Sequence, residues 1–242
     1  GSSARHMLGL INDILDMSRI ESGRLVLRKE EFSLSEIITQ INTMVSSQCA
    51  DKGLRFYCKL QGNVDRNFIG DDMKLKQVLI NILSNAIKFT EAPGTVTLSV
   101  EDIASFDDQS TLRFRIKDTG IGMSEAFLPH VFDSFTQEDS SRKNKYGSTG
   151  LGMAITKSIV EMMNGTISVS SQKGVGTEFT VVLTLKQGSE NSSVRRFIDP
   201  SQLRVLVVDD EEIAAEHAVM VLGDAGISAD SCLSGAEALH ML

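Results

Sequence analysis

Three groups of side chains in this sequence have the types and spacings needed to hold a nucleotide. Asn81, Asn85 and Lys88 stand at i, i+4 and i+7, which puts them on one face of a helix. An amide oxygen is a hard ligand suited to Mg2+, and a lysine suits a phosphate oxygen. A plain solvent-facing polar stripe has the same spacing. Asp118-Thr-Gly120-Ile-Gly122 follows a strand-like run. Its carboxylate can accept a hydrogen bond from an exocyclic amine such as that of adenine, and its glycines let a ligand approach the backbone closely. An ordinary turn has the same composition. Gly147-Ser-Thr149-Gly150-Leu151-Gly152 opens a helical stretch. Exposed backbone N–H groups and the positive helix end suit phosphate there, although a flexible glycine-rich loop reads the same way. Arg142, Lys143 and Lys145 stand just before it, within reach of phosphate oxygens or simply as an exposed basic loop.

These groups need elements to position them. Residues 72–89 carry a helical period through Leu75, Val78, Leu79, Ile82, Leu83 and Ala86, so the amide–lysine face breaks an otherwise apolar helix. Residues 95–103 and 111–117 alternate like paired antiparallel strands ending at Asp118. Residues 133–149 are polar and without period, which predicts a long loop, and helix returns over 150–163. Strands are expected at 54–60, 166–171 and 177–185, the last two joined by a Gly174-Val-Gly176 turn. Upstream, residues 4–22 read as a helix with a wide apolar stripe ending at Gly23. Leu25–Leu27 reads as a short strand, and Ser33 with Glu36 has the spacing of a capping box for a helix to Asp51.

Composition narrows the function. The 242 residues carry a formal charge of −8 and 41% hydrophobic residues. That supports a real core, and the acidic balance excludes a general grip on nucleic acid. No apolar run reaches the ~18–20 residues that span a bilayer. Three cysteines without metal-ligand spacing, Cys49, Cys58 and Cys232, fit reduced thiols in a cytoplasmic compartment. Asp-Thr-Gly also occurs as the nucleophile motif of aspartic proteases, but that chemistry needs a second carboxylate and the chain holds no second copy. The glycines near 150 match neither a P-loop nor a dinucleotide fingerprint, since no Gly-Lys-Ser/Thr occurs.

Taken together, residues 72–185 resemble the catalytic ATP-binding domain of sensor histidine kinases, within the wider gyrase, heat-shock chaperone, kinase and mismatch-repair ATPase group. Asn81–Phe89 resembles the N box, Asp118–Gly122 the first glycine box, Phe132-Asp-Ser-Phe135 the F box and Gly147–Gly152 the second glycine box, in the family order. The turn Gly174-Val-Gly176-Thr-Glu-Phe179 resembles the closing motif. The resemblance implies an α/β fold, a two-layer sandwich of the Bergerat ATP-binding type with helices on one face of a mixed sheet. It implies ATP and Mg2+ as cofactors. Asn85 would ligate Mg2+ with Asn81 beside it, and Lys88 would contact phosphate, so these three carry the catalytic role. Asp118 would bind the adenine amine, with Gly120 and Gly122 admitting the ring. Lys145, Gly147, Thr149, Gly150, Leu151, Gly152 and Thr177 complete the nucleotide-binding set. Residues 133–149 would be a lid, with Phe132 and Phe135 anchoring it in the core. Ser148 departs mildly from the glycine often found in the family.

Position 81 discriminates within the group. Relatives that hydrolyse ATP carry a glutamate there to activate water, and an amide has no such basicity. The reading is therefore phosphoryl transfer to a histidine, with an ATP-hydrolysing switch or a non-catalytic nucleotide-binding module as alternatives. Residues 1–23 resemble the second helix of the family's dimerisation hairpin, implying a homodimer in the parent protein. His6 lacks the acceptor setting and is rejected as the phosphoacceptor; His130, His217 and His240 read as lone histidines without partners. Residues 24–186 would be the catalytic domain and 187–202 a linker. Residues 203–242 resemble the start of a receiver domain, a partial doubly wound fragment, with a receiver or response regulator as partner. In that fragment Asp209 and Asp210, after the apolar run 203–208, would hold Mg2+. A truncated receiver is expected to expose its strand edge and apolar faces.

Overall fold

The computed structural model describes residues 11, 14–136, 150–189, 204–224 and 228–241. They fall into two compact units, Gly1–Asn191 and Ser192–Leu242.

In the first unit a helix over residues 14–21 (α1) precedes β1 (Glu30–Ser33), α2 (Leu34–Asp51), β2 (Arg55–Gln61), β3 (Asn67–Gly70), α3 (Asp72–Phe89), β4 (Thr95–Phe106) and β5 (Gln109–Asp118). A 3-10 turn (Leu128–His130), α4 (Gly152–Met162), β6 (Thr166–Gln172) and β7 (Gly176–Gln187) follow. The sheet runs β1-β3-β7-β5-β4-β2, with β6 also paired to β7. Only the β2–β4 pair is parallel, so the sheet is mixed, as expected.

The alternation of β4, β5 and β7 decides the two layers. Val96, Leu98 and Val100, then Leu112, Phe114 and Ile116, then Phe179, Val181 and Leu183 are buried on one face. They meet Leu75, Val78, Leu79, Ile82 and Leu83 of α3, all fully buried, and Ile155 and Ile159 of α4. Asp71 caps α3: its Oδ1 accepts from Lys74 N at 2.9 Å, while its Oδ2 accepts from Arg28 N at 3.0 Å. That second bond explains one correction. Leu25–Leu27 joins no ladder; Leu25 N donates to Arg19 O at 3.1 Å, Arg28 N is held by Asp71, and pairing begins only at Glu30, on the unforeseen strand β3. Ser33 does cap α2, accepting from Glu36 N at 3.3 Å. Asp16 of α1 reaches Lys74 Nζ at 3.2 Å and Gln77 Nε2 at 2.8 Å, tying α1 to α3.

The other sheet face is open and polar. There Glu101 of β4 lies buried between the guanidinium groups of Arg113 and Arg115 on β5. The Arg113 hydrogen bond, helped by Arg115, holds its carboxyl below the usual value of 4.5. A depressed carboxyl contributes stability above its unfolded value and loses it as pH falls through the folded one. Glu101→Gln should therefore lower the melting temperature by about 2 °C at neutral pH, since both arginines are part-exposed. The difference should close as pH falls below 4.5, which thermal scans across pH would show.

In the second unit β8 (Arg204–Val208) pairs in parallel with β9 (Ser228–Cys232), and α5 (Glu212–Asp224) and α6 (Gly235–Met241) follow their strands. The order is βαβα. Ile213 and Leu239 are more than three-quarters exposed. Among the described residues no helix is long and apolar enough to cross a membrane. Cys49, Cys58 and Cys232 are all free thiols.

Candidate nucleotide site

The amide helix, the first glycine turn and the opening of α4 converge, although far apart in sequence. Where α3 ends, the Phe89 carbonyl accepts a hydrogen bond from Ile121 N at 3.1 Å. The 118–122 turn is thereby stapled to the last turn of the helix that carries Asn81, Asn85 and Lys88. Gly120 has no room for a side chain, because a Cβ would overlap the same Phe89 carbonyl oxygen. At Gly122, with φ +62°, it would overlap the Gln172 carbonyl oxygen. The turn Gly174–Gly176 closes from the opposite side: Gly174 N donates to Ile121 O at 2.7 Å.

Asp118 is buried at the end of β5. Its Oδ1 accepts from Gly120 N at 2.8 Å and from Thr177 N at 3.2 Å. Burial nevertheless outweighs these two bonds and pushes its carboxyl above the usual 3.8. Thr177 lies directly opposite Asp118 in the β5–β7 register. Its hydroxyl pairs with Ser171 Oγ at 2.9 Å, and Ser171 Oγ also accepts from Met123 N at 2.8 Å. Ser171 was not foreseen; only the register of β6 against β7 brings it here.

At the other end of the helix face, Asn81 Nδ2 lies 3.4 Å from Gly152 O and 3.3 Å from Thr156 Oγ1. Asn81 thus joins α3 to the first turn of α4. Asn85 is half-buried, and among the described residues its side-chain amide makes no hydrogen bond. Lys88 is half-buried, with Nζ 5.1 Å over the Phe89 ring, and burial lowers its ammonium pKa. Just behind, Lys52 Nζ donates to Ile87 O at 2.7 Å and Lys88 O at 2.9 Å, a cation on the negative end of α3. Nothing local in the sequence marks Lys52 for this position.

Two expectations need correction. Phe132 does pack on the core, edge-on to Phe179 at 6.2 Å. Phe135, however, is 70% exposed with φ +63°; its N donates to Gly150 O at 3.0 Å, and this turn carries its ring away from the core. His130 has a partner, with Nδ1 2.8 Å from Asp133 Oδ2 on the next turn. Gly150, Leu151 and Gly152 lie at the α4 opening, Leu151 fully buried. Lys145, Gly147 and Thr149, with Arg142, Lys143 and His6, lie outside the described residues. In the second unit Asp209 follows β8 and its Oδ1 accepts from Glu211 N at 2.9 Å. Among the described residues no three His, Cys, Asp or Glu side chains cluster as a metal site. The Asp209 carboxylate serves its own turn there, and Asp210 is exposed.

Residues 70–187 match the family described as "Histidine kinase-, DNA gyrase B-, and HSP90-like ATPase". The chain is 38% identical over 243 residues to the circadian input-output histidine kinase CikA of Synechococcus elongatus, covering 99% of this chain and 31% of that protein. It is 33% identical over 249 residues to the autoinducer 2 sensor kinase/phosphatase LuxQ of Vibrio cholerae, covering all of this chain and 29% of that one. It is 38% identical over 177 residues to the signal transduction histidine-protein kinase BarA of Escherichia coli K12, covering 73% of this chain and 19% of BarA. The chain thus spans less than a third of the length of these relatives. Among solved structures it resembles full-length ShkA in complex with AMPPNP, with a TM-score of 0.68 at 25% identity, over 99% of this chain and 48% of that one. The Acinetobacter baumannii histidine kinase AdeS shares the fold, with a TM-score of 0.59 at 21% identity, over 76% of this chain and 81% of AdeS.

Proposed function

Residues 70–187 belong to the histidine kinase-, DNA gyrase B- and HSP90-like ATPase family, and on that premise we propose that they bind Mg·ATP and present its γ-phosphoryl to a protein histidine. The convergence of three sequence-distant motifs supports this reading: Phe89 holds the Asp118 turn while Asn81 holds the α4 opening. Asp118 selects adenine by accepting from its exocyclic amine, with Gly120 and Gly122 leaving space for the ring. Thr177 keeps the Asp118 carboxylate in place. Lys88 balances phosphate charge, and its part-burial strengthens that attraction. Gly150, Leu151 and Gly152 offer backbone N–H groups to phosphate, with Lys145, Gly147 and Thr149 on the lid side.

The donors present also fit a magnesium ion. Mg2+ takes oxygen ligands, and the side-chain oxygens of Asn85 and Asn81 would supply them. When bound, the ion neutralises charge on the phosphate oxygens. The chain's own contribution is positioning, since phosphoryl-transfer transition states are loose. The acceptor histidine belongs to a dimerisation helix paired with residues 1–23 in a homodimer, and residues 203–242 begin a receiver that takes the phosphoryl group onward, with Asp209 and Asp210 at its metal end. The setting is cytoplasmic two-component signalling.

Two measurements test the reading. Titration with ATP and GTP in the presence of Mg2+ should show selective ATP binding; equal affinity removes the adenine assignment. Asn81→Glu should raise background ATP hydrolysis on the order of 100-fold, the low end of what a positioned general base contributes. An unchanged hydrolysis rate in that variant would count against the amide as the reason for retaining the phosphoryl group.

A further inference from the structure

We infer that Thr156 is the positioning residue for Asn81, fixing which way its amide points and barring a carboxylate of the same length from that position. Thr156 is fully buried on α4, one turn after Gly152. Its hydroxyl has one proton, and that proton goes to the Gly152 carbonyl at 2.8 Å. What Thr156 turns toward Asn81 is therefore an oxygen lone pair. Gly152 O, the other atom facing the amide, is also an acceptor. Position 81 thus faces two acceptors and must donate. Asn81 can satisfy both only through Nδ2, at 3.4 Å and 3.3 Å, so its Oδ1 is turned away from α4. Among the described residues that Oδ1 has no hydrogen-bond partner.

The consequence rests on the Mg·ATP reading above: the orientation of Asn81 Oδ1 as a ligand is set from α4 by a hydroxyl that itself touches neither nucleotide nor metal. Rotation of the amide by half a turn would bring Oδ1 against two oxygens and is disfavoured by both. An aspartate at position 81 would suffer the same repulsion in either orientation. Helix α4 opens at the second glycine motif, so any shift of its first turn also shifts this pair of acceptors. The amide face of α3 and the phosphate end of α4 are mechanically one unit.

The full chain serves for the test. Thr156→Val keeps the shape and removes the hydroxyl, while Thr156→Ser keeps the hydroxyl. ATP affinity measured by calorimetry with Mg2+ should fall about fivefold in Thr156→Val, the scale of one neutral hydrogen bond, and return in Thr156→Ser. Affinity measured in excess chelator should stay within about twofold, because the adenine contacts are untouched. Thr156→Val with unchanged Mg·ATP affinity, in a chain whose wild type binds, overturns the inference. A wild type that binds no ATP overturns the functional reading instead. A second measurement needs no nucleotide: Asn81→Asp, which faces Gly152 O and Thr156 Oγ1 with an anion, should melt about 5 °C below wild type at neutral pH. Melting equal to wild type overturns the two-acceptor arrangement, whether or not Thr156→Val folds.

Discussion

Asp118→Asn should weaken adenine-nucleotide binding, with affinity for ATP falling about 100-fold and the fold intact. The direction follows from two backbone donors. Gly120 N and Thr177 N both point at Oδ1, so an asparagine there must keep its oxygen on that side. Its NH2 then replaces Oδ2, which makes no hydrogen bond among the described residues. A donor meets a donor where the adenine amine has to lie, and the lost bond is one to a charged acceptor, worth about 2–3 kcal/mol. Stability should move the other way. Burial raises the folded-state pKa of Asp118 above 3.8, so folding takes up a proton as pH rises past that value. Stability is then lost as pH climbs through the raised pKa, and a neutral amide escapes the loss. Nucleotide-free Asp118→Asn should melt at or above wild type at neutral pH, with the gap closing toward pH 3.8. Calorimetric titration beside thermal scans checks both halves; a variant that loses both binding and stability would make Asp118 a structural residue only. For the same reason, wild-type affinity for ATP should fall as pH drops through the raised pKa, because protonation puts a donor on Oδ2, where the adenine amine needs an acceptor.

Gly122→Ala should be strongly destabilising. Gly122 sits at φ +62°, and its missing side chain leaves the space taken by the Gln172 carbonyl oxygen. That oxygen belongs to β6, whose partner β7 carries Thr177, so it has no cheap way to retreat. Positive φ costs a methylated residue about 1 kcal/mol, and displacing backbone adds more. A total of ~3 kcal/mol corresponds to about a 10 °C drop in melting temperature for a domain of this size. Gly152→Ala supplies the contrast, since the nearest atom to its Cβ is Asn81 Nδ2 at 4.0 Å. It should melt within about 2 °C of wild type. Equal melting of the two variants would show that the 118–122 turn can relax and that its glycines are not fixed by packing.

Much of this was legible in local pattern. The apolar period of residues 72–89 returned as α3 over that whole span, because one side of the helix buries Leu75, Leu79, Ile82 and Leu83 completely. Alternation gave the β4–β5 pair, although the hairpin runs to Phe106 and Gln109, around Asp107 at φ +52°. The short strand β3 was not legible, since Asn67–Gly70 has too few residues to show a period. The Leu25–Leu27 expectation failed because apolar side chains alone do not give a strand a partner, and Asp71 holds the adjacent backbone elsewhere. The resemblance implied a core position for Phe135, but a left-handed backbone turned it outward.

What the sequence determined by itself is the chemistry available: amides and a lysine on one helical face, an acid before two glycines, and a glycine-rich helix opening. Those properties follow from side-chain type and helical or strand period, which are local. Only the tertiary structure decided which of them meet. Asn81 finds Thr156 across 75 positions, and Asp118 finds Thr177 across 59. Such pairings depend on strand register and on how two helices lie across one sheet face, and neither is set by the spacing of neighbours along the chain.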